Sequence, residues 1–207
     1  MRRMTSTRGD LRDGNVTLEA LWYLAPITSL RSILWHGLLS HNDVASRGLA
    51  HERIDWTSVQ SLRDFVIEFD EFAANVHDRV PLFFSTHQPM LYVQPDTSVI
   101  AHLEIDPSVI RRAGVIFTDG NAAASTTAFY CDLSDLDKLD WNVIATPNCY
   151  SKEYKRKKAA EVLVPSPLGT ASIRCIHVKN DDAARLCRKH VSGFRVPIRI
   201  SPDLYDR

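Results

Sequence analysis

The chain has 207 residues, 44% of them hydrophobic and 24% charged, the composition of a compact folded protein rather than a disordered or fibrous one. Twenty-five Lys and Arg balance twenty-five Asp and Glu, so no global positive field draws nucleic acid to the chain, and any such contact must come from a local patch. No stretch approaches the roughly 20 apolar residues of a membrane span, and Cys131, Cys149, Cys175 and Cys187 form no C-x-x-C pair, which argues against a zinc ribbon, a redox motif and a dense disulfide scaffold and for reduced thiols.

Arg2, Arg3, Arg8 and Arg12 lie among small polar residues with no apolar run, so the N-terminus does not read as a secretory signal. Residues 1–15 are expected to be a flexible basic arm, and 16–207 a single domain. Leu18, Leu21, Trp22 and Leu24 suggest a short helix or an extended lead into a first strand. A helix follows, with Thr28 or Ser29 as N-cap, an apolar face of Leu30, Ile33 and Leu34, and Gly37 as the C-cap glycine. Residues 38–50 are polar and read as loop, and Ile54 to Val66 resumes a helical pattern.

Five acids and no Lys or Arg mark Asp64 to Asp78 as a solvated stretch. Val80 to Phe84 is a strand, and Met90 to Val93 a strand or helix start. Alternation at Val99, Ala101, Leu103 and Ile105 predicts a half-buried strand. Pro107 opens a short helix, and Val115 to Phe117 is another strand before the turn Thr118-Asp119-Gly120-Asn121. Ala122 to Tyr130 is read as helical. The acids Asp132, Asp135, Asp137 and Asp140 lack the mid-loop glycine and final Glu of an EF-hand, so they are read as a solvated face and no metal is expected. Glu161 to Val164 is a strand closed by Pro165 and Pro167, and Ile173 to Val178 and Val196 to Ile200 are the last strands, around a helix near Asp181 to His190. Short strands and interspersed helices without regular βαβ alternation predict an α+β fold.

Phosphate-loop, Rossmann, zincin and nucleophile-elbow motifs are all absent. What remains is a basic cluster, Lys152, Lys155, Arg156, Lys157 and Lys158, followed at once by Ala159-Ala160-Glu161 and the apolar run Val162-Leu163-Val164. A carboxylate at the mouth of a buried strand beside concentrated positive charge suits anionic ligands. The same pattern also fits a strand-edge Glu beside a solvated loop.

Three segments stand in one order and spacing: Asp78-Arg79-Val80-Pro81-Leu82-Phe83-Phe84 with Gln88-Pro89-Met90-Leu91-Tyr92, Phe117 to Ala124, and Lys157-Lys158-Ala159-Ala160-Glu161-Val162-Leu163-Val164. Together with Trp22-Tyr23 through Leu39, they resemble the DarT family of bacterial toxins that ADP-ribosylate DNA, over about residues 21–165. The resemblance implies an ADP-ribosyltransferase (PARP/DarT-like) fold, a split, mostly antiparallel sheet with peripheral helices, and NAD as substrate with no metal. Glu161 matches the catalytic glutamate. Arg63 matches an essential arginine that holds the dinucleotide. Tyr23, Ala25, Ser29, Phe83, Met90 and Tyr92 fall at NAD-binding positions, and His87, Asn121, Lys155, Arg156 and Lys157 are the expected nucleic-acid contacts. The expected acceptor is a base in single-stranded DNA, with RNA or protein transfer, or a silent binding module, as alternatives. A cytoplasmic toxin or phage-defence role and a macrodomain (DarG-like) antitoxin are likewise implied. One departure is plain: where the family's first strand carries a His and Thr that bind the NAD ribose, this chain has Tyr23-Leu24-Ala25-Pro26.

Overall fold

A computed structural model describes residues 11–13, 16–49, 63–70, 72–147 and 151–206. In chain order the strands and α-helices are β1 (Leu11–Asp13), β2 (Val16–Leu18), β3 (Leu21–Pro26), α1 (Leu30–His36), α2 (His41–Ser46), β4 (Val66–Glu68), β5 (Ala73–Asn75), β6 (Arg79–Phe83), α3 (Pro89–Tyr92) and β7 (Ile100–Ile105). There follow β8 (Ile116–Thr118), β9 (Phe129–Tyr130), α4 (Trp141–Ala145), α5 (Lys152–Lys158), β10 (Glu161–Pro165), β11 (Ile173–Val178), α6 (Asp181–His190) and β12 (Ile198–Ile200).

Eight strands form one sheet in the order β12-β11-β7-β3-β6-β10-β8-β9, antiparallel except for the β11–β12 pair. Six residues of β3 pair with β7 and five of β10 with β6, but β3 and β6 meet only at Trp22 and Phe83. One pair of residues therefore joins two half-sheets, which is the split sheet that the resemblance implies. Directly opposed residues of neighbouring strands share a face. Cys175, Glu104, Trp22, Phe83 and Glu161 accordingly form one row across β11, β7, β3, β6 and β10. The other face is apolar: Leu21, Ala25, Leu103, Leu82 and Val162 join Leu30 and Leu34 of α1 and Ala183, Ala184 and Cys187 of α6 in the main core. The buried residues of α6 recur at i, i+1 and i+4, one helical face, below an Asn180 cap that accepts the Ala183 N–H.

Gly37 ends α1 at φ 84 and donates its N–H to the Ile33 carbonyl. A side chain there would bring its Cβ to 2.7 Å from the Leu168 carbonyl oxygen, so both conformation and space require glycine.

Several local expectations change. Leu11–Asp13 pairs antiparallel with Val16–Leu18, so the end of the expected arm is strand, while residues 1–10 lie outside the described residues. Residues 38–50, read as loop, contain α2, because the Ser40 hydroxyl accepts the Asp43 N–H and caps the helix. The helix expected from Ile54 falls outside the described residues up to 62, and Val66, its expected end, opens a strand. Ala122 to Tyr130 is not helical: Asn121 Oδ1 accepts the Ala123 N–H, Asp119 Oδ1 accepts the Ala128 N–H, and the chain turns into β9. Side-chain acceptors at a turn satisfy the same N–H groups that a helix would use. Of the two readings of Met90 to Val93, the helix start is the one that forms, as Pro89–Tyr92.

Candidate active site

Glu161 opens β10, between β6 and β8, and is 1% exposed. A buried carboxylate requires donors, and three converge on it. Arg63 Nη1 donates to Oε1 at 3.0 Å and Nη2 to Oε2 at 2.7 Å, a forked two-point pair, and the Ala122 N–H donates to Oε1 at 3.0 Å. Arg63 is itself 8% exposed. Counting lone pairs assigns different work to the two oxygens. Among the described residues Oε1 accepts twice, whereas Oε2 accepts once and keeps an acceptor position for a substrate hydroxyl or proton. Arg63 gives two of its five N–H donors to Glu161.

The turn after β8 is held against this carboxylate. The Glu161 N–H donates to Thr118 Oγ1 at 2.9 Å, and that hydroxyl donates to the Gly120 carbonyl at 2.6 Å. From the other side, the Asn121 N–H donates to the Arg156 carbonyl, and the Arg156 guanidinium donates to Asp119 Oδ1 at 3.0 Å and Glu153 Oε1 at 2.8 Å. A Cβ on Gly120 would lie 3.0 Å from Arg156 Cγ, so glycine lets this side chain cross the turn. Helix α5 therefore fastens the 118–127 loop and delivers Glu161 within one connection.

The expected dinucleotide contacts are dispersed differently from the sequence order. Phe83 is opposite Glu161 in the sheet and 8% exposed. Tyr23 and Ala25 alternate onto the face opposite Trp22; Ala25 is 1% exposed within the apolar core, so its side chain is closed to a ligand, and Tyr23 is half-buried against the same core. Ser29 precedes α1 with its hydroxyl making no cap bond. Met90 and Tyr92 on α3 pack half-buried against Leu24, Leu91, Ile100 and Tyr205, and the Tyr92 hydroxyl donates to the Asp206 carbonyl.

The expected nucleic-acid contacts separate into two groups. Arg156 is engaged by Asp119 and Glu153, which push its pKa up, and Lys157 pairs with Asp140 at 2.9 Å. Two members of the basic run are thus ion-paired within the fold, Arg156 to Asp119 and Glu153 and Lys157 to Asp140. Lys155 is exposed and carries no ion pair among the described residues. Lys158, grouped with them in sequence, is fully buried and donates to the Ile144 and Thr146 carbonyls. Asn121 commits Oδ1 to its own turn and remains half-exposed. His87 is half-buried, its pKa lowered first by burial and then by the Lys158 charge, and its Nδ1 lies 3.1 Å from Thr86 Oγ1.

Sequence reasoning assigned no site role to Thr118 and Ala122, which contact Glu161. Thr118 and the Ala122 N–H carried a detectable signal, since both flank the Asp-Gly-Asn turn, but their target was not readable. Among the described residues no helix is long and apolar enough to cross a membrane.

A family model described as "ssDNA thymidine ADP-ribosyltransferase, DarT" matches residues 22–206. The chain is 27% identical to a DNA ADP-ribosyl transferase of Thermus sp. (strain 2.9), over 89% of this chain and 95% of that protein. It is 26% identical to a DNA ADP-ribosyl transferase–DNA ADP-ribosyl glycohydrolase fusion protein of Thermosipho africanus, over 89% of this chain and 49% of the fusion, so it spans about half of that relative. The Thermus sp. 2.9 DarT structure in complex with ADP-ribosylated ssDNA superposes with a TM-score of 0.78 at 26% identity, covering 91% of this chain and 97% of that one. The same protein in complex with NAD+ superposes with a TM-score of 0.73 at 24% identity.

Proposed function

We infer, from the premise that this chain belongs to the DarT family of ssDNA thymidine ADP-ribosyltransferases, that it transfers the ADP-ribosyl group of NAD+ to a thymidine base in single-stranded DNA. The observation that carries the reading is the buried Glu161 carboxylate with Arg63 forked on it and, among the described residues, one lone pair of Oε2 unused.

In the reaction the bond between the ribose C1′ and the nicotinamide nitrogen breaks, nicotinamide leaves with the bonding electrons, and C1′ takes on oxocarbenium character. A base nitrogen then forms the new bond to C1′ and loses its proton. A negative carboxylate held in a water-poor site stabilises the developing ribose cation, and Oε2 is the oxygen with room to orient a ribose hydroxyl or accept the base proton. Arg63 fixes the orientation of the carboxylate through its forked pair and offers N–H groups to the pyrophosphate. A base stacked in duplex DNA cannot reach C1′, so an unpaired strand is the natural acceptor. Exposed Lys155 supplies a phosphate contact, and the half-exposed Asn121 amide lies on the loop that carries Ala122 to Glu161. Tyr23-Leu24-Ala25-Pro26 removes two polar anchors for the ribose, so backbone groups of β3, with the Ser29 hydroxyl, take over that end of NAD+.

The Thermosipho relative joins a transferase to a DNA ADP-ribosyl glycohydrolase. This supports a toxin or phage-defence role here, with a macrodomain-type glycohydrolase as the partner that removes the modification. NAD+ and its DNA acceptor both reside in the cytoplasm, where the reaction belongs.

The test is incubation of purified protein with NAD+ labelled in the adenylate and, separately, with a thymidine-containing single strand, the matching duplex, RNA and lysate protein. Label in the single strand alone, lost by at least about 100-fold in Glu161→Gln with unchanged folding, is expected. Label only in RNA or protein overturns the acceptor, and no transfer to any of them identifies a silent binding module.

A further inference from the structure

Away from Glu161, the polar row across the sheet ends in a second cluster. Glu104 on β7 and Cys175 on β11 are cross-strand partners, and His177 follows two residues along β11 on the same face. One ligand atom from each of the three lies within 4.8 Å of the other two. His177 Nε2 is 2.9 Å from Glu104 Oε2, and its Nδ1 is 2.9 Å from Ser201 Oγ. We propose that Glu104, Cys175 and His177 form a binding site for a zinc-class divalent cation, with a fourth position open to water.

The donor set argues for that class of ion. A thiol, an imidazole and a carboxylate together suit zinc and cobalt, whereas calcium and magnesium take oxygen alone. In tetrahedral zinc, bonds of about 2.0–2.3 Å place ligand atoms about 3.3–3.6 Å apart, so His177 Nε2 and Glu104 Oε2, at 2.9 Å, open slightly and no donor pair has to close by more than about 1.5 Å. Ser201 supplies what a metal-bound histidine ordinarily has, a partner on its outer ring nitrogen that fixes ring orientation. The irregular register between Ile173 and Cys175 brings the thiol to its place opposite Glu104. Cys175 is 2% exposed, and among the described residues its Sγ has one hydrogen-bond contact, 3.7 Å to the Ile176 carbonyl. A histidine–carboxylate bond alone would require no thiol at its third corner. The Glu104 side chain is 20% exposed and provides the way in.

Cys175 and Glu161 are separated by four strand spacings of about 4.8 Å, about 19 Å. The ion is therefore no participant in group transfer. It pins β7 to β11, the pair that carries one half-sheet, and stabilises the folded chain by mass action: free zinc at a hundredfold excess over its Kd lowers the unfolded-to-folded ratio about 100-fold.

The experiment uses the full chain, stripped with a chelator and titrated with Zn2+ and, separately, Co2+. One equivalent should bind, the melting temperature should rise with free zinc, and the cobalt form should show a thiolate-to-cobalt charge-transfer band with tetrahedral ligand-field intensity. Cys175→Ser should lose the charge-transfer band, and Glu104→Gln, partly exposed and nearly isosteric, should weaken binding at least tenfold while keeping its circular dichroism. Cys131→Ser, at an exposed thiol, should change nothing. Absence of a charge-transfer band in the wild type, or equal zinc stoichiometry and affinity in Glu104→Gln, overturns the proposal.

Discussion

Replacing Arg63 by alanine strips two charge-assisted hydrogen bonds, at 3.0 and 2.7 Å, from a carboxylate that is 1% exposed. Glu161 is then left with the Ala122 N–H as its described donor. Removing one partner of a buried ion pair costs about 3–5 kcal/mol, because the other charge stays desolvated. For a chain of this length each kcal/mol lowers the melting temperature by roughly 2–4 °C, so Arg63→Ala should melt about 6–20 °C lower. Arg63→Lys restores a point charge without the fork and should recover only part of the loss. The decisive measurement is a double-mutant cycle by urea unfolding without NAD+. Glu161→Gln removes the stranded charge, so in its background Arg63→Ala should cost less by about 1–3 kcal/mol, the range expected for residues in direct contact. If the two substitutions add within about 0.5 kcal/mol, the pair does not exist as described, and the orienting role of Arg63 falls with it.

Burial lowers the His102 pKa from 6.5 to about 4. The unfolded chain then binds the extra proton first as pH falls, so stability present above pH 6.5 should be lost between pH 6.5 and 4, by roughly 3 kcal/mol in total; urea unfolding at pH 7 and 4.5 should show it, and His102→Gln should flatten the dependence. Gly37→Ala combines a conformation that non-glycine residues avoid with a blocked Cβ, and should cost at least about 2 kcal/mol, checked by the same unfolding assay. Lys155→Ala should weaken single-strand binding alike for all sequences and reduce the slope of log K against log salt by roughly 0.7. Arg156→Ala, which unties the 118–127 loop, should instead lower turnover with little change in that slope. Fluorescence anisotropy and a single-turnover assay separate these two outcomes, and equal slopes for wild type and Lys155→Ala would move the phosphate contact elsewhere.

Local order in the sequence determined a good part of this molecule. The apolar run after Glu161, the Gly37 cap and the Asp181–His190 helix are short-range patterns, and each forms the expected element; the alternation from Val99 to Ile105 marked a strand at Ile100–Ile105 but not its burial on both faces, where only Glu104 is partly exposed. The motif segments carried the family. Where local signals misled, a side chain had two uses: Ser40 caps a helix in a stretch read as loop, and Asn121 and Asp119 cap turns in a stretch read as helix. The resemblance pointed to Glu161 and Arg63, but tertiary structure alone decided how they meet. Arg63 reaches Glu161 across 98 residues and the Ala122 N–H across 39, and no periodicity encodes contacts of that separation. The basic run Lys155 to Lys158 shows the same limit. Its charges are adjacent in sequence, but helical geometry points one to solvent, two to acids on other elements and one into the core, because neighbours along a helix face different directions and each meets what the fold has placed there.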